Sequence, residues 1–208
     1  MDTRVADQLR LRGGHLDFIG CSHIWIDDYD RADSAQFAQF ALANALAHTA
    51  PGQLEVLVFD DALRGIAAPF QEVNSGGEKI LRHINDVQEL NETIKYLHEH
   101  VRSVLNVIQG RTESLLDFRQ QLSPKVEGFK LVVLSTIYDL LSDEIRDKLT
   151  VLLKAGPAAG VTFLIHSMKL KVNEEILDLT QLCDVDERTV YGNDGAVRGQ
   201  FEPQSTDD

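Results

Sequence analysis

Asp27-Asp28-Tyr29-Asp30 sets three carboxylates within four residues, and Asp60-Asp61 adds an acidic pair at the end of an apolar run. Oxygens in such clusters suit Mg²⁺ or Ca²⁺. Neither an EF-hand spacing nor an Asp-x-Ser-x-Ser pattern accompanies them, so a solvated acidic loop is the plainer reading. Asp27, Asp28 and Asp60 stand as metal candidates only. The acidic stretch runs on through Arg31-Ala32-Asp33-Ser34 to a helix-like segment, Ser34 to Leu42. A phosphate cradle at such a strand-to-helix junction needs glycines, so that backbone N–H groups converge on oxygens, and a Lys to neutralise them. This stretch offers carboxylates instead.

Other reactive side chains are scattered. His98 and His100 are two apart on a helical pattern and so cannot share a metal. All seven histidines read as hydrogen-bonded or surface groups. Ser167 follows His166 without the glycines of a nucleophile elbow, which argues against a hydrolase triad. Gly76-Gly77 follows Asn74-Ser75 and reads as a turn. Cys21 and Cys183 match no Cys-x-x-Cys metal or redox spacing and read as buried or half-buried thiols. Trp25, flanked by Ile24 and Ile26, is either core or an interface anchor, with Ile26 beside it as a second interface candidate.

A chain of 208 residues with 43% hydrophobic and 25% charged residues fits one globular domain with a sizeable core. Residues 1–201 are expected to form that domain, and Glu202 to Asp208 a frayed acidic tail. Nothing approaches the roughly 20 apolar residues of a membrane span. Asp2 and Asp7 precede any apolar run, so neither a secretory signal nor a transit peptide is expected, and the expected compartment is the cytoplasm. A net charge of −13 argues against this chain by itself gripping nucleic acid and favours basic partners.

Short β-type runs alternate with longer helical ones, the signature of an α/β fold with a mainly parallel central sheet and flanking helices. Strands are expected at Leu16–Ile19, Leu54–Phe59, Leu131–Leu134 and Val161–Ile165. Further candidates lie at Ser22–Ile26, Thr189–Tyr191 and Val197–Phe201. Ser34 to His48 reads as one helix, stopped before Pro51-Gly52. The strongest helix starts from Asp86 as N-cap, with Glu89 three residues on. Its apolar stripe is Val87, Leu90, Ile94, Leu97, Val101, Val104 and Ile108, and Gly110 supplies its end. Thr112 to Gln121 and Ser142 to Lys154 read as two more helices, the latter capped by Ser142 and broken by Pro157.

In order and spacing these pieces resemble the motor domain of FtsK/SpoIIIE-type DNA translocases, within the FtsK/HerA group of P-loop ATPases. The resemblance covers roughly Leu16 to Val190. Leu54-Glu55-Val56-Leu57-Val58-Phe59-Asp60 resembles the family's second strand, and Ala67-Ala68-Pro69-Phe70 the loop found there. Ile108-Gln109-Gly110-Arg111-Thr112, with Leu115-Leu116-Asp117-Phe118, resembles its two-helix stretch. Phe129 to Leu141 sits where the Walker B strand belongs, and Ala155-Gly156-Pro157-Ala158-Ala159-Gly160 leads to the sensor strand. A RecA-like three-layer fold is what the resemblance implies. It also implies nucleotide-site positions at Arg31, Ala32, Asp33, Ser34, Ser135, Thr136 and Ser167.

At those positions the catalytic residue types are replaced. Arg31-Ala32-Asp33-Ser34 lacks the glycines and the Lys, and only Ser34 resembles the Mg²⁺-ligating hydroxyl. Ser135 and Thr136 stand where paired acids would hold Mg²⁺ and polarise water, and a neutral hydroxyl is no general base near neutral pH. Ile165-His166-Ser167-Met168-Lys169 lacks the usual amide side chain. The expectation is therefore a pseudo-ATPase with no catalytic residues and no cofactor. It would serve as an interaction or scaffolding module in a larger DNA-processing, translocation or defence machine, or as a homo-oligomer. Two alternatives stay open: an ATPase subunit, with ATP and Mg²⁺, whose site is completed in trans, and a carboxylate-rich metal-binding domain.

Overall fold

The computed structural model describes residues 18–26, 34–49, 52–61, 63–70, 80–122, 128–136, 142–166, 180–184, 189–191 and 197–200. The strands are β1 (His23–Ile26), β2 (Leu54–Asp60), β3 (Leu81–Ile84), β4 (Phe129–Ser135), β5 (Val161–His166), β6 (Thr180–Asp184), β7 (Thr189–Tyr191) and β8 (Val197–Gln200). The helices are α1 (Ser34–His48), α2 (Val87–Ile108), α3 (Leu115–Gln121) and α4 (Asp143–Ala155). Among these residues no helix is long and apolar enough to cross a membrane.

All strands join one sheet in the order β3-β2-β4-β5-β1-β6-β7-β8. Every pairing from β3 across to β6 is parallel, and β7 and β8 are added antiparallel. Parallel strands covered on both faces must be apolar throughout, and β4 and β5 are buried at every residue. Right-handed crossovers place helices on opposite faces when the chain reverses direction across the sheet. Accordingly α1 packs on β1 and β5, while α2 packs with α3 and α4.

Local chemistry explains the helix limits. Asp86 accepts from Glu89 N at 2.8 Å, starting α2, and Glu89 accepts from Asn85 N at 2.9 Å. Leu90, Ile94, Leu97, Val101, Val104 and Ile108 form the buried stripe, whereas Val87 stays 37% exposed. Gly110, at φ 73°, lets the chain turn off the helix. Ser114 and Ser142 cap α3 and α4.

Three expectations need correction. Leu16–Ile19 is not the first strand where it is described. Phe18 and Ile19 lie in a turn whose Phe18 carbonyl accepts from Cys21 and Ser22 N–H, and β1 follows at His23. Two strands, β3 and β6, lie where no strand was expected. Cys21, expected to be buried or half-buried, is exposed in the turn that precedes β1. The expected tail, 202 to 208, lies outside the described residues.

Candidate functional site

Parallel register brings the carboxyl ends of four strands into one row. Asp60 of β2 pairs with Ser135 of β4, Ser135 with His166 of β5, and His166 with Ile26 of β1. Ligands of open α/β sheets bind just outside such carboxyl ends. Ser34, the first residue of α1, completes the group.

His166 lies between two hydroxyls. Its Nε2 is 2.8 Å from Ser34 Oγ and its Nδ1 is 3.0 Å from Ser135 Oγ. All three residues are fully buried. A neutral imidazole donates from one nitrogen and accepts at the other, and a hydroxyl can take either part, so both bonds form without a charge. Burial pushes the His166 pKa down to about 4, the positive charge of Arg64 adds to this, and Asp60 opposes it. The ring is therefore neutral near pH 7.

The neighbouring acids have partners. The Asp60 carboxylate accepts from the backbone N–H groups of Arg64 (2.9 Å), Gly65 (2.8 Å) and Ile66 (3.4 Å), shaping the loop after β2. This loop carries Leu63 at φ 52° and 88% exposed. Thr136 Oγ1 donates to Asp61 Oδ2 at 2.9 Å. Asp60, a metal candidate from the sequence, is thus committed to backbone donors. Among the described residues no group of three or more His, Cys, Asp or Glu side chains is placed to hold a metal ion.

Of the expected nucleotide-site positions, the fold joins Ser34 and Ser135 through His166 and pairs Thr136 with Asp61. Arg31, Ala32, Asp33 and Ser167 lie outside the described residues, as do Asp27 and Asp28. Ile26 is fully buried in the core, which removes it as a surface anchor; Trp25 is half-buried and packs against that core. His166 itself was passed over as a histidine of no special role. The available signal was its place at the end of an apolar strand beside Ser135, which ends another.

Chemically, Ser and His within hydrogen-bond reach can form a nucleophile and base. Here the second ring nitrogen meets another serine instead of an orienting acid, and burial shuts out a substrate. The groups that meet are two hydroxyls and an imidazole. None of these is a phosphate-neutralising cation or a metal-holding carboxylate.

Strand order and helix placement give a mainly parallel α/β fold similar to that of solved FtsK/SpoIIIE-type, RecA-like ATPase domains. EssC (ATPases 2 and 3) from Geobacillus thermodenitrificans matches at TM-score 0.62 and 13% identity, over 90% of this chain and 41% of that one. EccC (ATPases 2 and 3) from Thermomonospora curvata, in complex with a signal sequence peptide, matches at 0.58 and 14%, over 91% and 34%. The pCW3 conjugation coupling protein TcpA, in a monomer form with ATPγS, matches at 0.56 and 15%, over 78% and 49%. The chain spans less than half the length of each. No family model and no curated protein sequence matches it.

Proposed function

We propose that this chain is a noncatalytic, FtsK/HerA-like domain that acts as an interaction or scaffolding module of a larger translocation, DNA-processing or defence machine. The observation that carries this reading is the buried, neutral chain Ser34–His166–Ser135 at the carboxyl edge of the sheet. In P-loop ATPases the helix hydroxyl and a strand-end carboxylate grip Mg²⁺, and catalysis is almost wholly electrostatic positioning. Replacing that carboxylate by Ser135 removes the charge that this strand end would offer a divalent ion. A kept fold with replaced chemistry is useful only through its surfaces. The similar structures support this context: one is titled a conjugation coupling protein, and another is bound to a signal sequence peptide. Protein partners and a cytoplasmic setting belong to the same proposal, and ATP and Mg²⁺ do not.

The second reading, an ATPase subunit whose site is completed in trans, draws on TcpA, whose similar fold was solved with ATPγS. Phosphate release by the purified chain with ATP and Mg²⁺ separates the two. The proposal expects no release above the protein-free blank. Turnover that Ser34→Ala abolishes would overturn it.

A further inference from the structure

We infer that His166 is an internal bridge that does, without any ligand, the mechanical work a metal–nucleotide does in an active P-loop domain: it ties the start of α1 to the end of β4. The inference rests on the noncatalytic reading and deepens it. In P-loop NTPases the helix hydroxyl and the Walker B acid both hold Mg²⁺, so bound metal–nucleotide links the two elements. Here the corresponding residues are Ser34 and Ser135, and one imidazole spans them at 2.8 Å and 3.0 Å.

Topology explains why this residue does it. β5 lies between β4 and β1, and α1 follows β1 in sequence. A side chain on the last residue of β5 is therefore flanked by the end of β4 on one side and the start of α1 on the other. Imidazole carries nitrogens on two edges of one rigid ring, so it reaches both with few rotamers to freeze. Full burial of all three residues keeps water from competing for the bonds. The consequence is a junction whose order does not depend on nucleotide. The domain then presents one constant arrangement of its carboxyl edge to a partner.

Hydrogen exchange on the full chain tests the bridge, comparing wild type with His166→Ala, His166→Gln and His166→Leu. Amides of Phe37 to Ala41 in α1 and Leu134 to Thr136 are expected to exchange at least tenfold faster in His166→Ala. Millimolar imidazole restores their protection, ATP does not, and His166→Gln, whose amide can still donate and accept, falls between. Wild-type protection in His166→Leu, which fills space without hydrogen bonds, would overturn the bridge, as would failure of imidazole to restore a folded His166→Ala. Should His166→Ala not fold, Ser34→Ala, Ser135→Ala and the double variant replace it. Coupling of at least fivefold in the unfolding constant is expected between the two serines joined through the ring, and additive effects would overturn the inference. Nucleotide binding by the wild type would sink the noncatalytic reading while leaving exchange and coupling readable by themselves.

Discussion

Strands β1 and β5 lie side by side, and each buries a histidine completely: His23 at the amino end of β1 and His166 at the carboxyl end of β5. Burial lowers both pKa values to about 4. What separates them is the partner. His23 Nε2–H donates to the Leu153 carbonyl at 2.8 Å, and Nδ1 accepts from Phe163 N–H at 3.0 Å. Both partners are backbone, so only one tautomer fits. The Leu153 carbonyl belongs to the last turn of α4, where intrahelical partners run out. His23 also stacks edge-on to Phe163, with ring centroids 5.5 Å apart. It bolts a helix end to the sheet. His166 instead meets two side chains, each able to donate or accept, at the carboxyl edge of the sheet, where open α/β sheets bind ligands. Residue type, burial and charge state are the same at the two ends, and only the partners tell a structural group from a site.

Breaking the bolt should cost most. His23→Ala leaves a cavity and orphans the Phe163 N–H and the Leu153 carbonyl. About 4 kcal/mol of stability should go, measured by urea unfolding. A loss under about 1 kcal/mol would mean the two histidines are not distinguished in this way.

Acid should weaken both ends. Each folded-state pKa, near 4, lies below the ordinary 6.5, so the neutral-histidine contribution is complete above pH 6.5 and is lost as pH falls towards 4. The slope is roughly 1.4 kcal/mol per pH unit for each ring. His166→Gln keeps an amide in the bridge but removes one titration. Its stability loss between pH 6.5 and pH 5 should be smaller than the wild type's by roughly 2 kcal/mol. Equal losses would show that His166 does not resist protonation.

A position outside both ends gives the smallest effect and the opposite sign. Leu63 adopts φ 52° with 88% of its surface exposed. Leu63→Gly relieves about 1 kcal/mol of left-handed strain, part of which is offset by chain entropy. The net expectation is a gain of about 0.5 kcal/mol by thermal unfolding. A loss of stability would place Leu63 in packing the structure does not show.

Much of the fold was legible because it is local. Asp86, Glu89 and the stripe from Leu90 to Ile108 declare α2 within 25 residues, and the apolar runs of β2, β4 and β5 declare buried strands. The missed strands lack that signal. β3 is Leu-Arg-His-Ile and β6 is Thr-Gln-Leu-Cys-Asp, short and partly polar, so pairing with the sheet outweighs propensity. Leu16–Ile19 was placed first although it is no richer in apolar residues than His23–Ile26, which stood only as the further candidate Ser22–Ile26 and is β1; β1 starts on a histidine that finds its partners 130 and 140 residues away. The site was half legible. Ser34, Ser135 and Thr136 were named from their places in the order of elements, but the His166 bridge spans 132 and 31 residues. No local pattern reports a contact set by parallel register.

The most direct test of the noncatalytic reading is titration of the purified chain with a fluorescent ATP analogue, with and without Mg²⁺. Absence of saturable binding at millimolar nucleotide is the expected result, because Ser135 and the His166 bridge put neutral groups where a carboxylate would grip the metal. Micromolar binding strengthened by Mg²⁺ would contradict it and make the carboxyl edge a working nucleotide site.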